Sequence, residues 1–232
     1  MNRKVVLKDL FEYLTLVKNE INRHSILFLC LDYDGTLIPI KDHPAKAIID
    51  NEKRKIIRSI SGKNDVKIII ATGRSYEDIY NIIKVDGIYY ISNHGFKING
   101  PDLSEEFVEP GWEIRLREMC KEIEKKLSCF EGVWIEFKKL TASLHYRMAY
   151  KSEVNDIKKT FFETLKNYVD YNIIEGKMVY EITNFSGWNK GKAILFILKH
   201  LFGNLWKKKV FIIYIGDDNT DAVSYTHLRA HE

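Results

Sequence analysis

Three apolar runs most constrain what this chain can fold into. Ile26–Leu31, Val66–Ala71 and Val210–Ile215 are each continuous rather than alternating. A run of that length is what a strand needs when both of its faces are covered, as in a parallel sheet. A weaker run of the same kind begins at Gly87, in "GIYYISNHG". Helical patterns lie between them: Ile48 to Ile60, then "SYEDIYNII", then "NKGKAILFILKHLFG", which ends on Gly203. Ser75 and Asp78 have capping-box spacing, with Asp in place of the usual Glu or Gln. Strand–helix alternation of this kind predicts an α/β fold with a doubly wound parallel-sheet (Rossmann-like) core.

The pattern changes between about Pro110 and Thr183. "WEIRLREMCKEIEKKL" carries a helical stripe at Leu116, Met119, Ile123 and Leu127. "VWIEFKK" and "TASLHYRMA" then alternate with period two, as strands with one polar face do. Ser152 to Val169 reads as a second amphipathic helix, and "YNIIEG" and "KMVYEIT" as two further strands. The order αββαββ predicts a separate small domain with an open-faced sheet, inserted into the core as a cap. The expected division is core over 1–108, cap over 109–183 and core again over 184–221. The tail at 222–232, "AVSYTHLRAHE", has no apolar run able to add a buried strand, so the core is expected to be truncated, with Val210–Ile215 left as an exposed sheet edge.

Composition narrows the class. The 232 residues suffice for one large domain or a core with a smaller insert. A net charge of +4 with acids and bases mixed throughout gives no basic stripe for nucleic acid. Cys30, Cys120 and Cys129 form no CxxC pair, which fits a reducing compartment and predicts a cytoplasmic protein. The first residues, "MNRKVVLKDLFEYL", are too interrupted by charge for a signal peptide, and no run approaches membrane-spanning length.

Each strong core run ends in a polar cluster. The first ends in Asp32-Tyr33-Asp34-Gly35-Thr36, the second in Ala71-Thr72-Gly73-Arg74, the last in Gly216-Asp217-Asp218-Asn219-Thr220-Asp221. Lys190 opens the helix before that last run. Ligands of open α/β sheets bind outside the carboxyl ends of the strands, so these clusters should converge on one crevice. A lone Asp-x-Asp is more often a turn than a catalytic pair. Four separate loops carrying the right groups in order reverse that reading.

"DYDGTL", "TGR", "NKGKA" and "GDDNTD", in this order, resemble the four motifs of haloacid dehalogenase-type phosphatases. The insertion resembles the larger α/β cap of that superfamily. "LDYDGTL", "NHG", the "EFK…HYR" segment and "GDDNTD" are most similar to the trehalose-6-phosphate phosphatase family, over about Phe28 to Asp221.

The chemistry this implies is Mg²⁺-dependent hydrolysis of a phosphate monoester, trehalose 6-phosphate to trehalose and phosphate. Asp32 would be the nucleophile, forming an aspartyl phosphate. Asp34, on the same side of an extended chain, would be general acid and then general base. Asp217 would supply a carboxylate to the metal together with Asp32, and the resemblance adds the backbone carbonyl of Asp34. Asp218 would be a ligand or support one. Thr72 would hydrogen-bond a phosphoryl oxygen, and Lys190 would neutralise charge, held by Asp221. Gly35 and Arg74 would support the loops.

Substrate choice should belong to the cap. If Lys139-Leu140 is a two-residue turn, Glu136 pairs with Ser143 and Trp134 with His145 on one face, which Lys138 and Arg147 share. The other face, including Tyr146 and Met148, would pack on the cap helices. Glu181 follows an alternating strand to the polar side. The resemblance places Glu136, Lys138, Arg147 and Glu181 in substrate contact. His145 is either a contact or structural, and Asn93, His94 and Gly95 are either beside the substrate or a strained turn. The expected partner is a small-molecule sugar phosphate, without nucleic acid or membrane, for a monomer acting after a separate synthase. The alternatives are a phosphatase of another sugar phosphate, of sucrose phosphate or mannosyl phosphoglycerate type, and a non-catalytic sugar-phosphate-binding regulatory module.

Overall fold

The structure, a computed structural model, describes residues 13–41 and 43–217. Asp218, Asp221 and the tail at 222–232 lie outside the described residues. The chain begins with helix α1 (Leu14–Arg23), strand β1 (Ile26–Asp32) and helix α2 (Asn51–Ser61). It continues through β2 (Val66–Ala71), α3 (Tyr76–Ile83) and β3 (Tyr89–Ser92). The short strands β4 (Lys97–Asn99) and β5 (Ser104–Glu106) follow. Next come α4 (Trp112–Leu127), the hairpin β6 (Trp134–Phe137) and β7 (Ala142–His145), α5 (Val154–Leu165), and the hairpin β8 (Tyr171–Gly176) and β9 (Val179–Asn184). Helices α6 (Lys190–Phe202) and α7 (Trp206–Lys209) lead into β10 (Val210–Ile215).

The first sheet has the order β10-β1-β2-β3-β4-β5. The pairs β10–β1, β1–β2 and β2–β3 are parallel, and β3–β4 and β4–β5 antiparallel. Strands β1 and β2 are covered on both faces, as their composition demands, whereas β10 packs on one, through Val210, Ile212 and Tyr214. Phe28 and Cys30 of β1 and Ile69 and Ala71 of β2 pack with Ala193, Ile194, Ile197 and Leu198 of α6. Leu31, Ile68 and Ile70, on the opposite face, pack with Ile57 of α2 and Ile79 and Ile83 of α3. Both helices on that second face are capped from their own sequence. The Asp50 carboxylate accepts from Lys53 N–H at 2.7 Å and the Ser75 hydroxyl from Asp78 N–H at 3.2 Å.

The antiparallel extension by β4 and β5 is not an expected element. Three-residue strands carry too little periodicity to stand out, and all three residues of β5 are exposed. Among the described residues β10 forms the opposite edge of the sheet, and Ile215 at its end is 42% exposed.

The second sheet is antiparallel, in the order β6-β7-β9-β8. Its register is the one expected from a Lys139-Leu140 turn: Trp134 faces His145 and Glu136 faces Ser143. Lys138 N–H donates to Thr141 O at 2.9 Å to close the turn, and Lys139 takes a left-handed φ of 67°. One face packs on α4 and α5, through Trp112, Leu116, Ile123, Ile157 and Phe161 against Ala142, Leu144, Tyr180 and Ile182.

The strand continuing to Met148 is a correction. β7 ends at His145, and Arg147 and Met148 lie in a turn. Met148 is 64% exposed rather than packed on the helices. Its carbonyl instead lies against Gly132, where a side-chain carbon would collide with it. A glycine, here with φ +75°, is what allows the chain to pass so close where it leaves the sheet.

Candidate active site

The residues at the end of β1 alternate. Tyr33 turns into the core, where its hydroxyl donates to Ala47 O at 2.7 Å, while Asp32 and Asp34 turn to the other side. Gly35 then takes φ +91°, and a Cβ there would overlap the Asp217 carboxylate. Only glycine therefore lets the last core strand deliver Asp217 to the turn after β1. Asp32 is buried and accepts a hydrogen bond from Lys190 Nζ at 2.7 Å. Lys190 is the first residue of α6, whose N-terminus is capped by Asn189 accepting from Lys192 N–H at 3.0 Å.

The loop after β2 supplies a second wall. Thr72 is buried, and its hydroxyl accepts from Arg74 N–H at 3.2 Å. Arg74 grips Asp34 with both arms, Nε to Oδ2 at 2.7 Å and Nη2 to Oδ1 at 2.8 Å. It also donates to Asp78 at 2.6 Å and to Pro44 O at 3.0 Å. Such a fork fixes the carboxylate's orientation as no lysine would.

Asn93-His94-Gly95 forms a strained turn after β3, with φ of 48°, 57° and 108°. His94 lies on the cavity wall, against Gly73, where a Cβ would strike its ring. Asn93 and Gly95 do not line the cavity, so for these two the strained-turn expectation describes the loop. The Asn93 carboxamide oxygen accepts from Thr141 of the cap hairpin at 3.2 Å. A Cβ on Gly95 would run into the backbone of Asn189 and Lys190. These two residues seat the cap and the start of α6.

The cap closes the crevice from above, leaving a cavity of ≈ 560 Å³. Asp32, Asp34, Thr72, Lys190 and Asp217 lie on its core side. Glu136, Lys138, His145, Arg147 and Glu181 lie on its cap side. Lys138 Nζ donates to both Glu181 oxygens at 3.2 Å and reaches across to Gly73 O at 3.3 Å. Ser143 Oγ donates to Glu181 at 2.7 Å, and His94 Nε2 stands 3.5 Å from it. Burial alone would raise the Glu181 carboxyl. The Lys138 ammonium, His94 and Ser143 outweigh it and hold that carboxyl well below the usual range. Glu136 follows the same logic: burial raises it, but the His145 ring at 2.9 Å and Lys138 lower it on balance. Arg147 reaches the wall from its turn, donating to Lys177 O at 2.8 Å. Ile40 and Lys41 of the core and the β8–β9 turn at Gly176-Lys177 also line the cavity. None of these was singled out in the sequence. Only the glycine of that turn marks it locally.

The donors facing the core side of the cavity are oxygens. Asp32, Asp34 and Asp217 are hard oxygen ligands of the kind Mg²⁺ takes. Among the described residues no three acidic, histidine or cysteine side chains gather closely enough to cage an ion. Mg²⁺ does not need such a cage, because it keeps several waters and is held by one or two carboxylates plus substrate phosphate. The residues present fit it.

Comparison with known proteins gives one answer. The trehalose-phosphatase family model matches residues 30–232. A probable trehalose-phosphate phosphatase 2 of Oryza sativa subsp. japonica is 34% identical over 90% of this chain and 60% of its own length. Trehalose 6-phosphate phosphatase RA3 of Zea mays is 30% identical over 88% of this chain and 59% of its own. The chain thus spans about three-fifths of the curated relatives it matches. In fold it is similar to the C-terminal domain of C. albicans trehalose-6-phosphate phosphatase, with a TM-score of 0.76 at 22% identity over 93% of this chain and 78% of that one. A crystal structure of a trehalose-6-phosphate phosphatase related protein gives a TM-score of 0.70 at 25% identity over 88% of this chain and 83% of that one. A mixed α/β core with a parallel sheet, a separate antiparallel sheet over the same crevice and a family match over most of the length agree: the chain belongs to the trehalose-phosphatase family.

Proposed function

We propose that this protein is a Mg²⁺-dependent phosphatase that hydrolyses trehalose 6-phosphate to trehalose and phosphate. The observation that carries the reading is the buried Asp32 at the end of a parallel strand, 2.7 Å from Lys190, under a cap face bearing Glu136, Lys138 and Glu181. A phosphate monoester is anionic, and a carboxylate attacks it only where charge is offset. Lys190 offsets part of it at the Asp32 carboxylate itself.

Asp32 would attack phosphorus, and the bond to the sugar oxygen would break. Asp34 would place a proton on that leaving oxygen and later take one from the water that cleaves the aspartyl phosphate. Arg74 holds Asp34 by both oxygens, so Asp34 must turn from that fork to reach the leaving group. Thr72 would hydrogen-bond the phosphoryl group from the second loop. Asp32, Asp217 and the Asp34 backbone carbonyl would hold Mg²⁺, with Asp218 as ligand or support. When bound, the ion would supply neutralisation of the charge developing on the phosphoryl group.

Glu136, Lys138, Arg147 and Glu181 would recognise the sugar hydroxyls, with His145 orienting Glu136. The three free cysteines, two of them buried, support a cytoplasmic location, and no helix among the described residues is long and apolar enough to cross a membrane. In this reading the protein acts as a monomer.

Phosphate release by the full chain from a panel of sugar phosphates, with and without Mg²⁺, tests the assignment. Trehalose 6-phosphate should be preferred over sucrose 6-phosphate and mannosyl phosphoglycerate. Preference for another member of the panel would move the specificity, and no Mg²⁺-dependent release at all would overturn the activity.

A further inference from the structure

A set of stacked rings joins the cap to the core away from the hairpin tip. The Trp134 indole of β6 stacks with two imidazoles. On the cap side His145 stacks on it, with ring centroids 4.6 Å apart and planes 15° from parallel. On the core side His43 stacks on it at 5.5 Å and 14°. His43 belongs to no motif and comes from the loop between β1 and α2.

Both ends of this stack are anchored. His145 Nε2 lies 2.9 Å from a Glu136 oxygen, so the ring is tied to the cavity wall. His43 Nδ1 accepts from Ala45 N–H at 3.2 Å. Directly behind it, Pro44 O accepts from Arg74 at 3.0 Å and Ala47 O from Tyr33 at 2.7 Å. The loop that offers His43 is therefore pinned to the two core residues beside the Asp32–Asp34 pair.

The position of the stack matters as much as its strength. The hairpin tip already touches the core, through Lys138 to Gly73 and Thr141 to Asn93. Trp134 lies four residues earlier, about 13 Å along the strand. Lys139 to Glu77 at 3.6 Å and His94 to Glu181 at 3.5 Å lie at the same end. Contacts gathered at one end of a hairpin leave it free to rock about them, and a contact about 13 Å away opposes that motion.

We propose that His43 and Trp134 form a latch that holds the cap closed over the cavity, making them positioning residues for any substrate large enough to need the cap face. The inference deepens the sugar-phosphate reading above and rests on it for its kinetic consequence. Its structural consequence stands alone. An aromatic pair of this kind biases a closed state about three- to tenfold.

Two measurements test it. The first needs no substrate. Cys30 and Cys120 are buried and Cys129 of the cap is exposed, so a spin label on Cys129 and a second on Lys63→Cys of the core report the cap–core distance. The parent protein should give one narrow distribution. His43→Ala and Trp134→Leu should each add a displaced, broader component, and Trp134→Phe, which keeps a ring, should restore most of the narrow one. Distributions unchanged in both variants would overturn the latch whether or not the protein cleaves trehalose 6-phosphate.

The second measurement is kinetic. Each variant should lose about three- to tenfold in kcat/KM for trehalose 6-phosphate while para-nitrophenyl phosphate, too small to reach the cap, changes less than about twofold. The double variant His43→Ala/Trp134→Leu should be no worse than Trp134→Leu alone, because that change already removes the ring on which His43 stacks. Equal losses on the two substrates, or additive losses in the double variant, would also overturn it. A parent protein inert towards trehalose 6-phosphate would instead overturn the proposed function and leave the distance measurement to decide the latch.

Discussion

The two sheets of this protein use their strands in opposite ways. In the core sheet β1 and β2 are buried on both faces, and their chemistry sits only at their carboxyl ends, in Asp32, Asp34 and Thr72. In the cap sheet β6, β7 and β9 bury one face on α4 and α5 and turn the other to the cavity, so the polar groups that line it run along the strands, in Glu136, His145 and Glu181. A strand end offers few positions, each held by the whole core. A strand face offers a residue every second position, each held mainly by its neighbours. The first arrangement suits a reaction that tolerates no displacement, and the second suits recognition, which can change residue by residue.

The largest expected effect separates the two regions outright. Asp32→Asn should lower turnover of every substrate by more than ~10³-fold, as loss of a nucleophile does, with the circular dichroism spectrum retained. Rapid quench with labelled substrate should trap phosphate on the parent protein and none on the variant. Near-parental activity in the variant would mean that the strand end is not where bond-breaking occurs.

A second change tests whether the core serves chemistry by being rigid. Phe28 is fully buried on β1, the same strand that carries Asp32. Phe28→Ala should cost about 3–5 kcal/mol of unfolding free energy, read from denaturant titration. A cap-face substitution such as Glu136→Ala should cost well under that, since its carboxylate faces the cavity rather than the cap core.

Acid should find the cap before it finds the core strands. The Glu181 carboxyl is held below its unfolded value of about 4.3, mainly by Lys138 against the opposing effect of burial. Its contacts therefore contribute stability that is fully present above that unfolded value and is lost as pH falls towards the folded one. The melting temperature of the parent protein should fall more steeply between pH 5 and pH 3 (window of roughly two units about the unfolded value) than that of Glu181→Gln. At pH 7 the variant should already be about 1–3 kcal/mol less stable, since Lys138 and Ser143 lose an ionised acceptor. Parallel slopes would show that the Lys138–Glu181 pair does not set the acid response.

The smallest effect is the sharpest test of the comparison. Glu136→Ala should raise KM for trehalose 6-phosphate about tenfold and leave para-nitrophenyl phosphate nearly unchanged. Loss on both substrates alike would make Glu136 part of the chemistry and erase the division of labour between the sheets.

Much of this arrangement was written locally in the chain. The apolar runs at Ile26, Val66 and Val210, broken only by Lys67, marked the strands of the core sheet, because a parallel sheet needs strands that are apolar on both faces. The period of two in "VWIEFKK" and "TASLHYRMA", with a turn at Lys139-Leu140, was enough to pair Trp134 with His145 and Glu136 with Ser143, since register follows from turn length. Asp32, Asp34, Thr72, Lys190 and Asp217 could be gathered into one crevice because parallel strands all end on the same side.

Contacts between segments distant in the chain were decided only by the tertiary structure. No pattern around Arg74 announces a fork on Asp34, forty residues away. Nothing near Asn93 says that its carboxamide meets the cap rather than a ligand, and nothing near Met148 says that it will pass against Gly132 outside the strand. His43 is an isolated residue in a loop until Trp134 is laid upon it. Periodicity and strand-end motifs are repeated signals carried by neighbouring residues, and a sequence displays them. A single contact across tens of residues has no such repetition, and it exists only once the chain has closed upon itself.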